Sequence, residues 1–481
     1  MLFNSFVFGF FLFAIYLLYW LGFNRKQVLR NGLLLAASYF FYCCWNWRFL
    51  PLIIGISAVD YLFGMWIDKS DNDKRRKWLL SAAITINLLT LGIFKYFNFF
   101  VESFYDLINL FSHNYHSISA LNIILPVGIS FFTFQGLSYV IDIYRRQIGP
   151  TRDVLAFFTF IAFFPQLVAG PIERAKNLLP QFTDKRQRIP FCYEDARRGL
   201  LLIAIGLFKK IVIADRIAIF VDAVYADPSA AHGWPAVMAA LFFAFQLYID
   251  FSAYSQIAIG TARILGYKLT TNFRSPYLAT SFHDFWARWH ITLTSWFRDY
   301  LYFPLGGSRK GRWRTYLNVM IIFAVSGLWH GASWNFVIWG CLNGLALVVF
   351  DKMLHLEPRQ TASKILSCIA VVGFWTLTLI FFRAKSFADA IAMFGSLGFG
   401  GFESLTEFGL KNAEIVFSFA MIAVMMIAEL LMKVRRDQIE RLFYGKLALP
   451  RWAVYLALVL GTIFFGIYGP GNDAAFIYFQ F

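Results

Sequence analysis

The chain has 481 residues, 59% of them hydrophobic and only 15% charged, with a formal net charge of +16. A soluble chain carries about 25% charged residues, so this composition excludes an ordinary soluble enzyme. The positive charge does not indicate a nucleic-acid partner, because Lys and Arg sit in short loops between apolar blocks, as in the cytoplasmic loops of membrane proteins.

Apolar blocks of roughly twenty residues each match the length a helix needs to cross the hydrocarbon core, and helices satisfy their own backbone there. The first, Leu2 to Phe23, is too long for a signal-peptide core and is expected to be a retained helix. Arg25, Lys26 and Arg30 follow it and place the N-terminus outside. Leu33 to Ile67 holds two helices turning near Trp45 to Arg48, and the basic run Lys69 to Lys77 returns to the cytoplasm. A helix from Trp78 to Phe100 leads to a polar loop around His113 and His116, and another from Ile123 to Tyr144 comes back to Arg145 and Arg146. Phe157 to Gly170 is too short to cross and breaks at Pro165 and Pro171, so a re-entrant pair of half-helices is expected. The basic stretch Arg174 to Arg198 belongs on the cytoplasmic surface.

Helices follow near Gly199 to Val224, carrying Lys209 and Lys210, and Val237 to Leu265. Phe282 to Pro304 is aromatic, broken by charges and again re-entrant. The remaining helices lie near Tyr316 to Trp329, Trp334 to Val349, Leu366 to Phe382, Ile415 to Met432 and Trp452 to Tyr468, with Lys433, Arg435 and Arg436 facing in and the C-terminus outside. The expectation is an all-α polytopic membrane protein with roughly eleven transmembrane helices plus re-entrant half-helices. With no internal repeat and no long linker, residues 1–481 read as one membrane-embedded domain. The five Cys show no paired spacing and no ligand pattern, so neither a disulfide framework nor a metal site is expected.

Ionisable residues inside apolar segments are costly and point to function. Two of the seven His stand out. On a continuous helix His290 shares a stripe with Trp286, Leu293 and Phe297. His330, in Gly327-Leu328-Trp329-His330-Gly331, sits at a small-residue break between two spans, where the glycines admit a substrate or backbone. A neutral imidazole at that depth accepts a proton from a hydroxyl. From the residues alone, each His is more readily read as a hydrogen-bonded packing residue.

The blocks Asn272-Phe273-Arg274-Ser275-Pro276-Tyr277, Phe285-Trp286-Ala287-Arg288-Trp289-His290, Trp296-Phe297-Arg298-Asp299-Tyr300 and Pro304-Leu305-Gly306-Gly307-Ser308-Arg309, followed by Gly327 to Gly331, resemble the membrane-bound O-acyltransferase superfamily, in particular its bacterial alginate O-acetylation branch. The resemblance implies His330 as the catalytic residue, His290 as its partner, and Trp286, Trp329, Asn335 and Asp250 lining or supporting a central tunnel. The tunnel would take its donor from the cytoplasm and its acceptor from outside. Ala253 and Gln256 stand where the family has Gly and Asp. Arg309, Lys310 and Arg312 either contact the phosphates of the donor or an acidic carrier protein, or form an ordinary cytoplasmic loop.

The implied activity is transfer of an acetyl group from a cytoplasmic thioester, acetyl coenzyme A or an acyl carrier thioester, to an exported cell-surface polysaccharide at the inner membrane. No bound cofactor is expected, and an extracytoplasmic acetyltransferase or esterase-like protein is the expected partner. D-alanyl transfer to teichoic acid and peptidoglycan O-acetylation are close alternatives. A transporter or flippase is the alternative from another class, disfavoured by the lack of two related halves. The ending Phe476-Ile477-Tyr478-Phe479-Gln480-Phe481 is aromatic and is expected to dock, as an interfacial anchor or as an acyl relay through Tyr478. The relay follows from resemblance to the aromatic, Tyr-containing tails of bacterial relatives. A phenol of pKa about 10 leaves more readily than a sugar hydroxyl, and ten residues beyond Tyr468 reach up to about 33 Å.

Overall fold

A computed structural model describes residues 1–23, 26–111, 121, 123–354, 360–444, 448–468 and 476–477. Among them there are helices and no strands. In chain order they are Phe6–Leu17 (α1), Gln27–Asn46 (α2), Leu50–Lys69 (α3), Asp73–Leu91 (α4), Phe97–Phe111 (α5), Ile129–Tyr144 (α6), Val154–Ala162 (α7), Ala175–Thr183 (α8), Tyr193–Phe208 (α9) and Asp215–Ala226 (α10). Then come Trp234–Ile264 (α11), Phe282–Trp286 (α12), Ile291–Phe297 (α13), Arg312–His330 (α14), Trp334–Ala346 (α15), Thr361–Arg383 (α16), Phe387–Ser396 (α17), Asn412–Val434 (α18), Arg436–Tyr444 (α19) and Ala448–Phe465 (α20). Seven helical stretches among the described residues are long and apolar enough to cross a membrane, one of which, Gln27–Lys69, contains both α2 and α3. The protein is a multi-pass α-helical membrane protein.

Two of the expected helices begin or end elsewhere. The one expected from Ile123 starts at Ile129, because Pro126 and Gly128 make a turn first, with Gly128 at φ +77°. The one expected to stop at Phe100 continues to Phe111 through a wide turn at Gly92–Tyr96. Wide turns of this kind also carry Lys209–Ala214 and Leu347–Met353. His113, His116 and Arg25 lie outside the described residues.

α11 is the central pillar: 83% of its most apolar stretch is buried, against 22% for α1 and α18. The other helices turn Phe and Leu side chains outward, as a lipid-facing surface requires.

Both expected re-entrant segments occur. α7 has nine residues, capped by Asp153 accepting from the Ala156 N–H, and Phe163 to Gly170 then form a fully buried turn. Its backbone is satisfied inside the protein: the Phe164 N–H donates to Ser38 Oγ, and Gln166 Nε2 donates to the Phe160 carbonyl. The second segment is broken between α12 and α13, with His290 at φ +41°. His290 therefore does not share a helical stripe with Trp286, Leu293 and Phe297; the chain reverses its local direction at the histidine. The two re-entrant segments join where the Ile172 N–H donates to Thr292 Oγ1 at 3.0 Å.

α14 and α15 touch backbone to backbone. A β-carbon on Gly327 would stand 2.1 Å from the Phe336 carbonyl oxygen, and one on Gly340 2.2 Å from the Phe323 carbonyl oxygen. The space at Gly327 is thus filled by a neighbouring helix, not left for a substrate. Gly327→Ala is expected to force the pair apart at a cost of about 1–3 kcal/mol, read as a lower thermal midpoint of the detergent-purified protein.

Candidate active site

His330 is the last residue of α14, and His290 is the reversal point between α12 and α13. Their ring centroids are 6.4 Å apart, and both are buried. Trp329 packs against both, at 5.0 Å from His330 and 6.0 Å from His290. Trp339 and Phe382 close the other side of His330 with edge-on rings at 5.2 and 5.5 Å. The two histidines, separated by 40 positions in sequence, are thus walled by aromatic rings that exclude water.

His290 is held by Asn272. Its Nδ1 lies 3.1 Å from Asn272 Oδ1, which also accepts from the Thr292 N–H at 3.3 Å and from the Thr292 hydroxyl at 2.9 Å. Backbone bonds flank the histidine: the Ile291 N–H donates to the Asn272 carbonyl, and the Arg274 N–H to the Arg288 carbonyl. The Nε2 of His290 is buried and makes no hydrogen bond among the described residues.

His330 is fixed through its backbone. An α-helix leaves its last carbonyls without intrahelical donors, and here they end inside the protein. Lys95 Nζ donates to the carbonyls of Trp329 and His330, and Tyr96 Oη donates to that of Leu328 at 3.0 Å. Both residues sit on the wide turn between α4 and α5. A cation at this end also complements the helix dipole. A cavity of about 390 Å³ reaches the same lysine, lined by Met1, Tyr42, Trp45, Lys95, Ser130 and Phe131 among others.

The other expected residues divide. Trp286 stands one ring further out, 6.2 Å from Trp339. Asn335 ties the start of α15 to the end of α16 by donating to the Ala384 carbonyl at 3.1 Å, a supporting role. Asp250 lies in a buried ion cluster in which Lys210 bridges Asp215 and Asp250, each at 2.7 Å. Its second oxygen accepts the Ile477 N–H at 2.8 Å, and Lys210 lies over the Phe476 ring at 4.7 Å. Of the aromatic ending, Phe476 and Ile477 are buried, while Tyr478 and the residues after it lie outside the described residues. The next residue of α11, Phe251, packs edge-on against His290 at 4.8 Å. Arg309, Lys310 and Arg312 are exposed at the opposite end of α14 from His330, and that helix of 19 residues is about 28 Å long. The structure therefore does not bring this loop to the histidines.

Lys95, Tyr96, Asn272, Thr292 and Trp339 escaped the sequence reading. Only Lys95 carried a usable signal, a charge isolated in an apolar block; the others acquire their meaning from contacts between distant segments.

Comparison with known proteins agrees with this geometry. The profile of the MBOAT, membrane-bound O-acyltransferase family, matches residues 145–388. The chain is 38% identical to a peptidoglycan O-acetyltransferase of Helicobacter pylori over 396 residues, 76% of this chain and 74% of that protein. It is 36% identical to the probable alginate O-acetylase of Pseudomonas putida over 441 residues, 88% of this chain and 87% of that one. A teichoic acid D-alanyltransferase of Streptococcus thermophilus is 29% identical over 253 residues, 50% of this chain and 59% of the relative.

Lys95→Met keeps the length of the side chain and removes the charged donor. Loss of a charge-assisted hydrogen bond costs roughly 1.5–3 kcal/mol, so this variant is expected to unfold at lower temperature and to lose acyl transfer in proportion to the freedom gained by His330. Thermal unfolding and transfer assays on the same preparation check it.

Proposed function

The chain belongs to the membrane-bound O-acyltransferase family, and from that premise we propose that it moves an acetyl group from a cytoplasmic thioester, such as acetyl coenzyme A, to hydroxyls of an exported carbohydrate polymer. The observation that carries this reading is the buried His330–His290 pair, closed off from water by Trp329, Trp339 and Phe382. Acetyl is favoured over D-alanyl because both relatives named as O-acetylating enzymes cover three quarters or more of this chain, and the D-alanyltransferase covers half. The polymer is an alginate-like polysaccharide or peptidoglycan, which share the sugar hydroxyl as acceptor.

In this mechanism an acceptor hydroxyl attacks the thioester carbonyl. A C–O bond forms, the C–S bond breaks, and His330 carries the hydroxyl proton to the departing sulfur, leaving a free thiol and a neutral imidazole. The Trp339 indole N–H is buried beside His330, without a hydrogen-bond partner among the described residues, and is suited to receive the oxyanion. Arg309, Lys310 and Arg312 serve as a surface contact for donor phosphates or an acidic carrier at the cytoplasmic mouth. The donor arm must then extend most of the length of α14. We assign the acceptor side to the end of α14 that carries His330, opposite the basic loop, with both termini on that outer side.

Tyr478 acts as an intermediate acceptor. The reading is supported by its neighbour Ile477, which is anchored on Asp250, next to the Phe251 ring that packs on His290. The Tyr478 phenol attacks the thioester with His330 as base, and the acetyl-tyrosine then yields its acetyl group to a hydroxyl of an extracytoplasmic transferase or esterase-like partner, regenerating the phenol.

His330→Ala is expected to lower acetyl transfer from labelled acetyl coenzyme A by roughly 10²–10⁴-fold with unchanged membrane insertion. Near-normal transfer by that variant rejects the assignment. Tyr478→Phe retains the ring and removes only the hydroxyl. Polymer acetylation should vanish while thioester hydrolysis persists, and wild-type acetylation would reduce the tail to an anchor.

A further inference from the structure

Asn272 has no assigned part in the reaction, yet three donors converge on its Oδ1. One of them, the Thr292 N–H, can only donate, which identifies the accepting atom of Asn272 as oxygen rather than amide nitrogen. The amide nitrogen is turned the other way, toward Ser255 Oγ at 3.4 Å. Thr292 Oγ1 receives the Ile172 N–H and therefore spends its own proton on Asn272. An oxygen with only acceptor capacity requires that His290 Nδ1 carry the hydrogen.

The consequence falls on the far side of the ring. Nε2 is buried and has no hydrogen-bond partner among the described residues. A second proton there would create a buried, ionised donor with nothing among the described residues to receive it. Backbone evidence agrees. His290 adopts φ +41° and ψ 53°, a left-handed conformation that costs a non-glycine residue on the order of 1–3 kcal/mol and persists only when its surroundings impose it. Here the surroundings are the bonds from Asn272 and Thr292, reinforced by both re-entrant segments.

Resting on the acyl-transfer reading, we infer that Asn272 is the positioning residue that locks His290 in the Nδ1–H tautomer, so that its Nε2 lone pair stands as a fixed acceptor for the attacking hydroxyl in the wall of the His330 site. His290 orients the hydroxyl and His330 removes its proton. The pair thus divides the work, and Asn272 decides which nitrogen of His290 faces the substrate. Thr292 and the Ile172 N–H hold Asn272 itself.

The test combines ¹⁵N-histidine solid-state NMR with transfer kinetics on the full chain in lipid. In the wild type, the histidine signal lost in a His290→Gln preparation should be that of an Nδ1–H tautomer. Asn272→Leu should populate the Nε2–H tautomer and lower kcat by at least about tenfold with little change in donor KM, the split expected when an interaction acts in the transition state. Asn272→Asp, which keeps an acceptor oxygen, should restore both the tautomer and most of the rate. An Nε2–H tautomer in the wild type overturns the inference, and that measurement needs no variant at Asn272 to fold. Wild-type kcat in Asn272→Leu overturns it as well. If the wild type itself transfers no acetyl group, the functional reading fails, while the tautomer signal still decides the role of Asn272.

Discussion

A helix that ends inside a protein leaves carbonyl oxygens with no water to accept from, and the site depends on how that debt at the end of α14 is met. Lys95 and Tyr96 supply donors to the carbonyls of Leu328, Trp329 and His330. Those donors fix the backbone of His330, and they do so from a helix whose sequence position is more than 200 residues away. The satisfied carbonyls belong to α14, and the imidazole of His330 packs among Trp329, Trp339, Phe382 and His290. The histidine is thus positioned through its backbone.

His290 is positioned in the opposite way, through its side chain. A helical histidine at that place would project with its neighbours on one stripe; a reversed one presents Nδ1 to Asn272 and its ring face to Phe251 and Trp329. The break between α12 and α13 is what allows a re-entrant segment to bring polar groups deep into the molecule without unpaired backbone. The same principle governs the turn after α7, where Ser38 Oγ accepts the Phe164 N–H and the Gln166 amide donates back to the Phe160 carbonyl of α7. The two irregular segments meet at Ile172 and Thr292, so the least helical parts of the chain form one hydrogen-bonded frame around His290.

Apolar block length and the placement of Lys and Arg were enough to anticipate the helical class and both re-entrant segments, because the bilayer imposes those features on sequence directly. His330 at a break between two helices was legible for the same reason. The conformation of His290 was not: the stripe with Trp286, Leu293 and Phe297 is a good helical pattern, and only the bonds from residues 272–274 overrule it. Gly327 was read correctly as a place of close approach, but the approaching group is the Phe336 backbone. Asn272 carried no periodicity or charge to mark it. Its role arises from the meeting of three segments that sequence separation hides.

The buried ion cluster shows why the tail and the catalytic wall form one unit. Lys210 offers its charge to Asp215 and to one oxygen of Asp250, and the Ile477 N–H occupies the other oxygen. Without that N–H a carboxylate oxygen would be left buried and unpaired, at a cost of about 1–3 kcal/mol or more for a charged group. Seating the tail therefore completes the cluster, and the cluster in turn fixes the register of the tail. Asp250 and Phe251 are successive residues of α11, turned about 100° apart around the helix, so one faces the tail while the other faces His290. A shift of α11 at this point would disturb both contacts together. The pillar of the fold thus couples the seating of Phe476 and Ile477 to the wall of the histidine pair.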